Sequence, residues 1–385
     1  MERRKFIQGA GVLSLLIGGG TVWRALDQGV FSAGVGPAYE EWHNWGTQQN
    51  TGLLALVQSA ILAASPHNTQ PWLFQISESL IDVYVDTKRN IGAIDPLLRE
   101  MHVGIGCALE NLLLAAKAHG YTYQLTHFPD ISDPTHTVRI QFKKVEKINS
   151  VLYHAIPHRH TNRGPHDKTN PIQKNTLSSL SMLGEQFSKV KLVWLDDKQQ
   201  RDTFFDLNTQ ATNELIHDED QSKSSYQWLR ENWQDLQEKK DGVSIDTTGI
   251  SSGMRAIAKM MPPIARESGD QYFYEAMRSL KNVTDRVGII VVRNNSDNTQ
   301  RIQGGRYWQR MHLWGTTKEL AMQPVNQIPE RIDRAMSLGE TSVFESPFQA
   351  LIDQPEWQVL MPFRIGNPMQ EALPSPRRHV HSVIV

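Results

Sequence analysis

The chain has 385 residues, with ordinary apolar (39%) and charged (21%) fractions, enough for two cored domains of ~150 residues each or for one large α/β unit. Its formal net charge of −1 gives no broad attraction to nucleic acid or anionic lipid, so nucleic acid is not expected as a partner. The single cysteine, Cys107, excludes an internal disulfide and a cysteine-based metal site.

The first element, residues 1–24, has the pattern of a targeting segment. A basic start is followed by a short apolar run from about Val12 to Ile17, which Gly18, Gly19 and Gly20 interrupt before it reaches the ~20 apolar residues of a membrane span. Arg3-Arg4-Lys5-Phe6-Ile7 resembles the twin-arginine export signature, a route that carries folded cargo and suits a protein loaded with cofactor before transport. The expected partner here is the twin-arginine export machinery, and the expected location is periplasmic or membrane-anchored on the outer side. Ser32-Ala33-Gly34 is the best candidate for cleavage, and an uncleaved anchor is the alternative. Residues 1–35 are therefore set apart as signal and linker.

Beyond a polar linker, Leu53 to Ala64 has helical spacing and stops at Ser65-Pro66, where proline disfavours further helix. Trp72 to Phe74 and Ile81 to Val85 read as strands of a hairpin. A helix is expected from Leu98 to His119, apolar on most sides, with Gly104 and Gly106 positioned for close approach of another backbone and Gly120 as its stop. Strands follow at Tyr121 to Leu125 and His136 to Phe142.

The same order of elements recurs from about Asn149. With Gly106 set against Gly305, GCALENLLLAA faces GRYWQRMHLWG, and a β-rich run precedes each helix, at Ile81–Val85 and Gly288–Val292. The expected units are 36–148 and 149–385. Within the second, 215–285 reads as an insertion, and its charged part from His217 to Gly242 reads as an amphipathic helix, either a surface hairpin or a lid over a pocket.

The most specific feature is Ala64-Ser65-Pro66-His67-Asn68-Thr69-Gln70-Pro71-Trp72, a helix-to-strand loop rich in short hydrogen-bonding side chains. Such a loop can satisfy the edge of a planar heteroaromatic ligand, and the same spacing also describes an Asx turn leading into a strand. SPHNTQPW resembles the flavin loop of the nitroreductase family. Asp95-Pro96-x-x-Arg99-Glu100 and the helix with Glu110-Asn111 are similar to the tandem, Acg-like branch, in which two nitroreductase units share one polypeptide.

That resemblance implies an α+β fold: two fused nitroreductase-like units, each a mostly antiparallel sheet wrapped by helices, forming a pseudo-dimer within one chain. It implies that Ser65, Pro66 and Asn68 contact the isoalloxazine and ribityl chain of FMN, with Gln70 a further contact. The family's phosphate-binding Arg-x-Ser/Thr-x-Arg/Lys run is matched by Arg159-His160-Thr161-Asn162-Arg163, whose two guanidiniums and hydroxyl suit one dianion. The closing segment Ser375-Pro376-Arg377-Arg378 puts Arg377, and more weakly Arg378, at the family's phosphate-binding arginine. No arginine or lysine occurs from Glu40 to Leu54, and no Asn-x-Gln-Pro-Trp follows Arg163, so the two halves have complementary losses. One composite site and one FMN per chain are implied.

The resemblance further implies hydride or electron transfer from NAD(P)H to a nitroaromatic or quinone-like small-molecule acceptor, with flavin and no side chain carrying the chemistry. The alternative is an FMN-binding, sequestering protein with little reductase activity.

Overall fold

In the computed structural model, residues 21–47 and 50–385 are described. The twin-arginine stretch from Arg3 to Ile7 and the apolar run after it lie outside the described residues.

The first half begins with α1 (Leu53–Ala60), which ends at the loop preceding strand β1 (Trp72–Ile76). β1 pairs antiparallel with β2 (Leu80–Val85) in the register Trp72↔Val85 and Phe74↔Val83. Helix α2 (Arg99–Ala118) follows. Its first turn is fixed by Asp95, whose carboxylate accepts the backbone N–H groups of Glu100 (3.0 Å) and Met101 (2.9 Å), donors that a helix start otherwise leaves unpaired. β3 (Tyr121–His127) and β4 (His136–Lys144) complete an antiparallel sheet of order β1-β2-β4-β3.

The second half repeats this course. α3 (Lys174–Met182) leads to β5 (Val190–Trp194). A long connection through residues 195–285 contains α4 (Lys198–His217), α5 (Glu219–Tyr226), β6 (Leu229–Arg230), α6 (Trp233–Lys239), β7 (Val243–Ser244), α7 (Ser252–Met260) and α8 (Arg266–Val283). Then come β8 (Arg286–Val292), α9 (Asn298–Thr316), β9 (Ala321–Pro324), α10 (Gln327–Ser337), α11 (Glu345–Ile352) and β10 (Gln358–Gly366). The second sheet, order β5-β8-β10-β9, is also antiparallel. In chain order both sheets run first, second, fourth, third, and in both a long helix joins the second strand to the third. The fold is α+β, two mostly antiparallel sheets wrapped by helices.

The long helices α2 and α9 cross at the two glycines that the sequence sets against each other. A Cβ on Gly106 would lie 2.1 Å from Ile302 O and 2.9 Å from Gly305 Cα, and one on Gly305 would lie 2.0 Å from Val103 O. Only glycine permits that approach. Beside the crossing Gln309 Nε2 donates to Asn111 Oδ1 (2.8 Å), joining the halves through buried amides. One core spans both halves, with Leu109, Leu112, Phe74, Trp72, Trp308 and Phe363 in a single cluster; each such side chain contributes roughly 1.5–3 kcal/mol on burial.

Residues 217–242 do not form the single amphipathic helix expected. Asp218 caps α5 through Gln221 N–H (3.2 Å) and Asn232 caps α6 through Asp235 N–H (2.7 Å), while Lys240 (φ 55°) turns the chain left-handed at its end. Capping residues at this spacing divide the segment.

After β10 the chain crosses back to the first half. Arg377 N–H donates to Ala38 O (2.7 Å), Val380 N–H to Glu41 Oε1 (3.0 Å) and Val385 N–H to Phe74 O (3.0 Å), so the tail lies along the open edge of β1. Among the described residues no helix is long and apolar enough to cross a membrane.

Candidate functional site

The loop between α1 and β1 carries three non-glycine residues in left-handed conformation within four positions: His67 (φ 44°), Asn68 (φ 56°) and Gln70 (φ 54°). Each costs roughly 1–2 kcal/mol, so the surroundings must hold the loop in place. Ser65 Oγ accepts Gln70 N–H (3.0 Å), and the Pro66 ring packs on Gly104 of α2. Asn68 Nδ2 donates to Gly242 O (3.2 Å) and Pro376 O (3.0 Å), and Gln70 Nε2 donates to Lys240 O (2.9 Å). His67 Nε2 meets Ser225 Oγ at 3.1 Å. The loop is therefore gripped by the long insertion on one side and by the C-terminal tail on the other.

The structure brings the expected arginines of the second half to this loop. Arg377 Nη1 donates to Asn68 Oδ1 (2.5 Å) and Nη2 to Ala63 O (3.0 Å), while Arg159 Nη2 donates to the preceding carbonyl, Leu62 O (3.2 Å). Arg378 binds the loop's far end, its backbone N–H on Gln70 Oε1 (2.8 Å) and Nη1 on Gln70 O (3.2 Å). Trp42 links the cluster, with Arg377 4.7 Å above its ring and the His160 ring edge-on at 4.7 Å. Arg163 turns away to Thr247 O (2.9 Å) in the insertion, and Thr161 is half-buried between the two arginines in sequence.

Sequence reasoning missed four neighbours. Arg364, fully buried on β10, donates to Gln323 Oε1 (2.6 Å) and Gly164 O (2.7 Å). His312 on α9 meets Arg159 Nη1 at 3.3 Å, and Tyr39 and Trp42 come from the linker. Arg364 had a signal, a lone charge inside the apolar strand Met361-Pro362-Phe363-Arg364-Ile365. Tyr39 and Trp42 had none.

Among the described residues, Arg159, Arg163, Arg364, Arg377 and Arg378 form no ion pair with a carboxylate, in contrast to the many paired arginines elsewhere. Burial depresses the guanidinium pKa of Arg159, Arg163, Arg364 and Arg378 to about 10, and holds Arg377 well below the usual value, with Arg159 adding repulsion. Burial, then the charges of Arg159 and Arg377, push His160 down to about 3. Arg159 Nε, Arg377 Nε, Arg364 Nη1, His160 Nδ1 and Tyr39 Oη are all buried with no hydrogen-bond partner. Carbonyls at the end of α1 offset little of this, since a helix C-terminus contributes ~0.3–1 kcal/mol to a nearby cation and an unpaired buried charge costs several. An anion with several acceptor oxygens would satisfy the Arg159 and Arg377 donors and relieve the repulsion between them. Two surface grooves, beside Trp314 and Lys318 and beside Asp206 and Arg278, contain none of these residues.

Fold and site together define a two-sheet α+β protein with buried arginines that form no ion pair among the described residues, set around a strained loop. No protein-family model matches the chain. It is 32% identical over 112 residues to the protein named "Putative NAD(P)H nitroreductase acg" of Mycobacterium tuberculosis, covering 28% of this chain and 34% of the relative. A second M. tuberculosis protein with the same NAD(P)H nitroreductase description is 30% identical over 132 residues, 34% of this chain and 38% of the relative. The chain thus matches little more than a third of the length of these relatives. Among solved structures, an FMN-dependent nitroreductase of Mycobacterium smegmatis in complex with NADPH aligns over 60% of this chain and 96% of its own, at 15% identity and TM-score 0.37.

Proposed function

We propose that this chain is an FMN-dependent oxidoreductase of the nitroreductase type, holding one FMN per chain between the first-half loop and the second-half arginines. The observation that carries the reading is the set of buried guanidiniums without carboxylates, whose orphaned Nε donors of Arg159 and Arg377 fit a phosphate dianion. Arg159 and Arg377 would hold the phosphate, with His160 and Thr161 beside them, while Arg163, bonded to Thr247 O, would act from the His67 side of the loop. Ser65, Pro66, Asn68 and Gln70 would lie along the ribityl chain and ring system. Arg378, bonded to both ends of Gln70, positions the loop. When bound, FMN supplies hydride and electron transfer from NAD(P)H to a nitroaromatic or quinone-like acceptor. The chain's own residues neutralise the phosphate, fix the loop before binding, and exclude water through the apolar core beneath it. We further propose that the protein works as a pseudo-dimeric monomer, delivered by the twin-arginine route to the periplasm or to the outer side of the membrane.

A second reading, that the protein holds FMN with little turnover, is favoured by the insertion contacts of Ser225, Lys240 and Gly242 on loop residues 67–70, which narrow access to the site. Anaerobic addition of NADPH to the FMN-loaded protein separates the two. Bleaching of the flavin band supports the reductase, and a persistent band supports sequestration.

A further inference from the structure

Helix α7 is built the wrong way round for a globular protein: none of its residues is buried. Its polar side is tied to the body, Lys259 Nζ donating to Asp246 Oδ2 (2.7 Å) and Gly29 O (3.0 Å) and Arg255 pairing with Asp246 at 3.3 Å. Its apolar side faces outward, with Met254 (58%), Ile257 (60%) and Met261 (59%) exposed at helical spacing. Beside it lies the helical stretch 21–27, which exposes Val22, Trp23 and Leu26. The two are joined by Arg24, which donates to Met260 O (2.9 Å) and Met261 O (3.2 Å). They therefore form one continuous apolar face rather than scattered exposed side chains.

We propose that this face rests on a phospholipid bilayer surface. One feature of the chain selects lipid as the occupant. In sequence, only Gly18, Gly19 and Gly20 separate the apolar run from Val12 to Ile17 from residue 21, which points to lipid rather than to a soluble partner. A helix held to the body by its polar side, with its apolar side outward, has the amphipathic form of a helix lying in the bilayer interface. The face requires residues 21–35 to stay on the protein, and they are docked as part of it: Gly29 packs on Trp233 and Gly34 on Pro374.

The test uses the full chain. The only native cysteine, Cys107, is buried, so an environment-sensitive fluorophore can be placed selectively on Ile257→Cys or, as a remote control, on Ile131→Cys, an exposed position between β3 and β4. Each labelled protein is mixed with phosphatidylethanolamine–phosphatidylglycerol vesicles, with and without brominated acyl chains. The expected result is a blue shift and several-fold stronger bromine quenching at position 257 than at 131. Equal responses at the two positions would overturn the proposal, because the chain would then be tethered without this face on lipid. A blue shift at 257 that occurs without vesicles and grows with protein concentration would overturn it in favour of a second copy.

Discussion

Two buried charge clusters flank α2 and handle their charge in opposite ways. At its start, Asp95, Glu100, Glu330 and Asp333 gather around one fully buried arginine, Arg99, whose Nε donates to Asp333 (2.6 Å) and whose Nη atoms bond Leu360 O (2.9 Å) and Glu100 (3.3 Å). The acid excess is settled internally. Glu100 and Glu330 hydrogen-bond each other, and burial pushes Glu100 up to about 7 and Glu330 well above its ordinary value, so the pair keeps a proton. Around the loop at Ser65–Gln70 Asp86 and Asp241 lie near Arg378, while Arg159 and Arg377 have no carboxylate partner among the described residues. The first cluster satisfies its charges internally; the second leaves buried donors of Arg159 and Arg377 without a partner. A buried charge is evidence of function only where its compensation is missing.

The largest expected effect separates the clusters directly. Arg99→Met leaves carboxylates without their cation and should cost about 3–5 kcal/mol of unfolding free energy in urea titrations. Arg377→Met in flavin-free protein should cost clearly less, since the loss of its bonds to Asn68 and Ala63 is offset by removal of a buried charge that has no counter-ion. Equal losses in the two variants would make the arginine cluster structural. Next in size, FMN at about 100 times its Kd should add ~2.7 kcal/mol of stability, seen as a higher Tm. Alanine at Arg159 or Arg377 should weaken FMN binding by about 1.5–3 kcal/mol, roughly 10- to 150-fold, in calorimetric titrations.

The smallest effect is a pH dependence of the acid cluster. A raised carboxyl pKa contributes stability that is full below the ordinary glutamate value of 4.5 and is lost as pH rises through about 7. The native protein should therefore lose stability across that window relative to Glu330→Gln, whose profile is flatter there. His67 and His160, depressed by burial to about 4 and about 3, act in the other direction, losing stability as pH falls below 6.5. Both proteins share that contribution, so it cancels in the difference. Parallel melting curves from pH 4.5 to 7 would remove the shared proton from the account.

Much of this was legible in the sequence because the signals were local. Helical spacing, the hairpin from Trp72 to Val85 and the small residues around Gly106 each depend on neighbours a few positions away, whereas the helix expected to run to Ala64, just before Pro66, already ends at Ala60. What was not legible depended on distant contacts. Glu330 meets Glu100 only because α10 packs against the start of α2, and the tail reaches β1 only because its edge is open. Residues 217–242 misled in the other direction: their charge pattern reads as one helix, while the caps at Asp218 and Asn232 divide it. The two halves of the loop site were each visible as motifs, but Tyr39, Trp42 and His312 enter it by packing alone.

The central claim is that one site, shared between the halves, recognises the flavin by its phosphate. The most direct measurement titrates the full chain and its Arg159→Ala/Arg377→Ala variant with FMN and with riboflavin, which lacks the phosphate. The account predicts one FMN per native chain, much weaker riboflavin binding, and FMN affinity in the variant reduced to that of riboflavin. Equal affinity of the native protein for both flavins, or undiminished FMN binding by the variant, would contradict it.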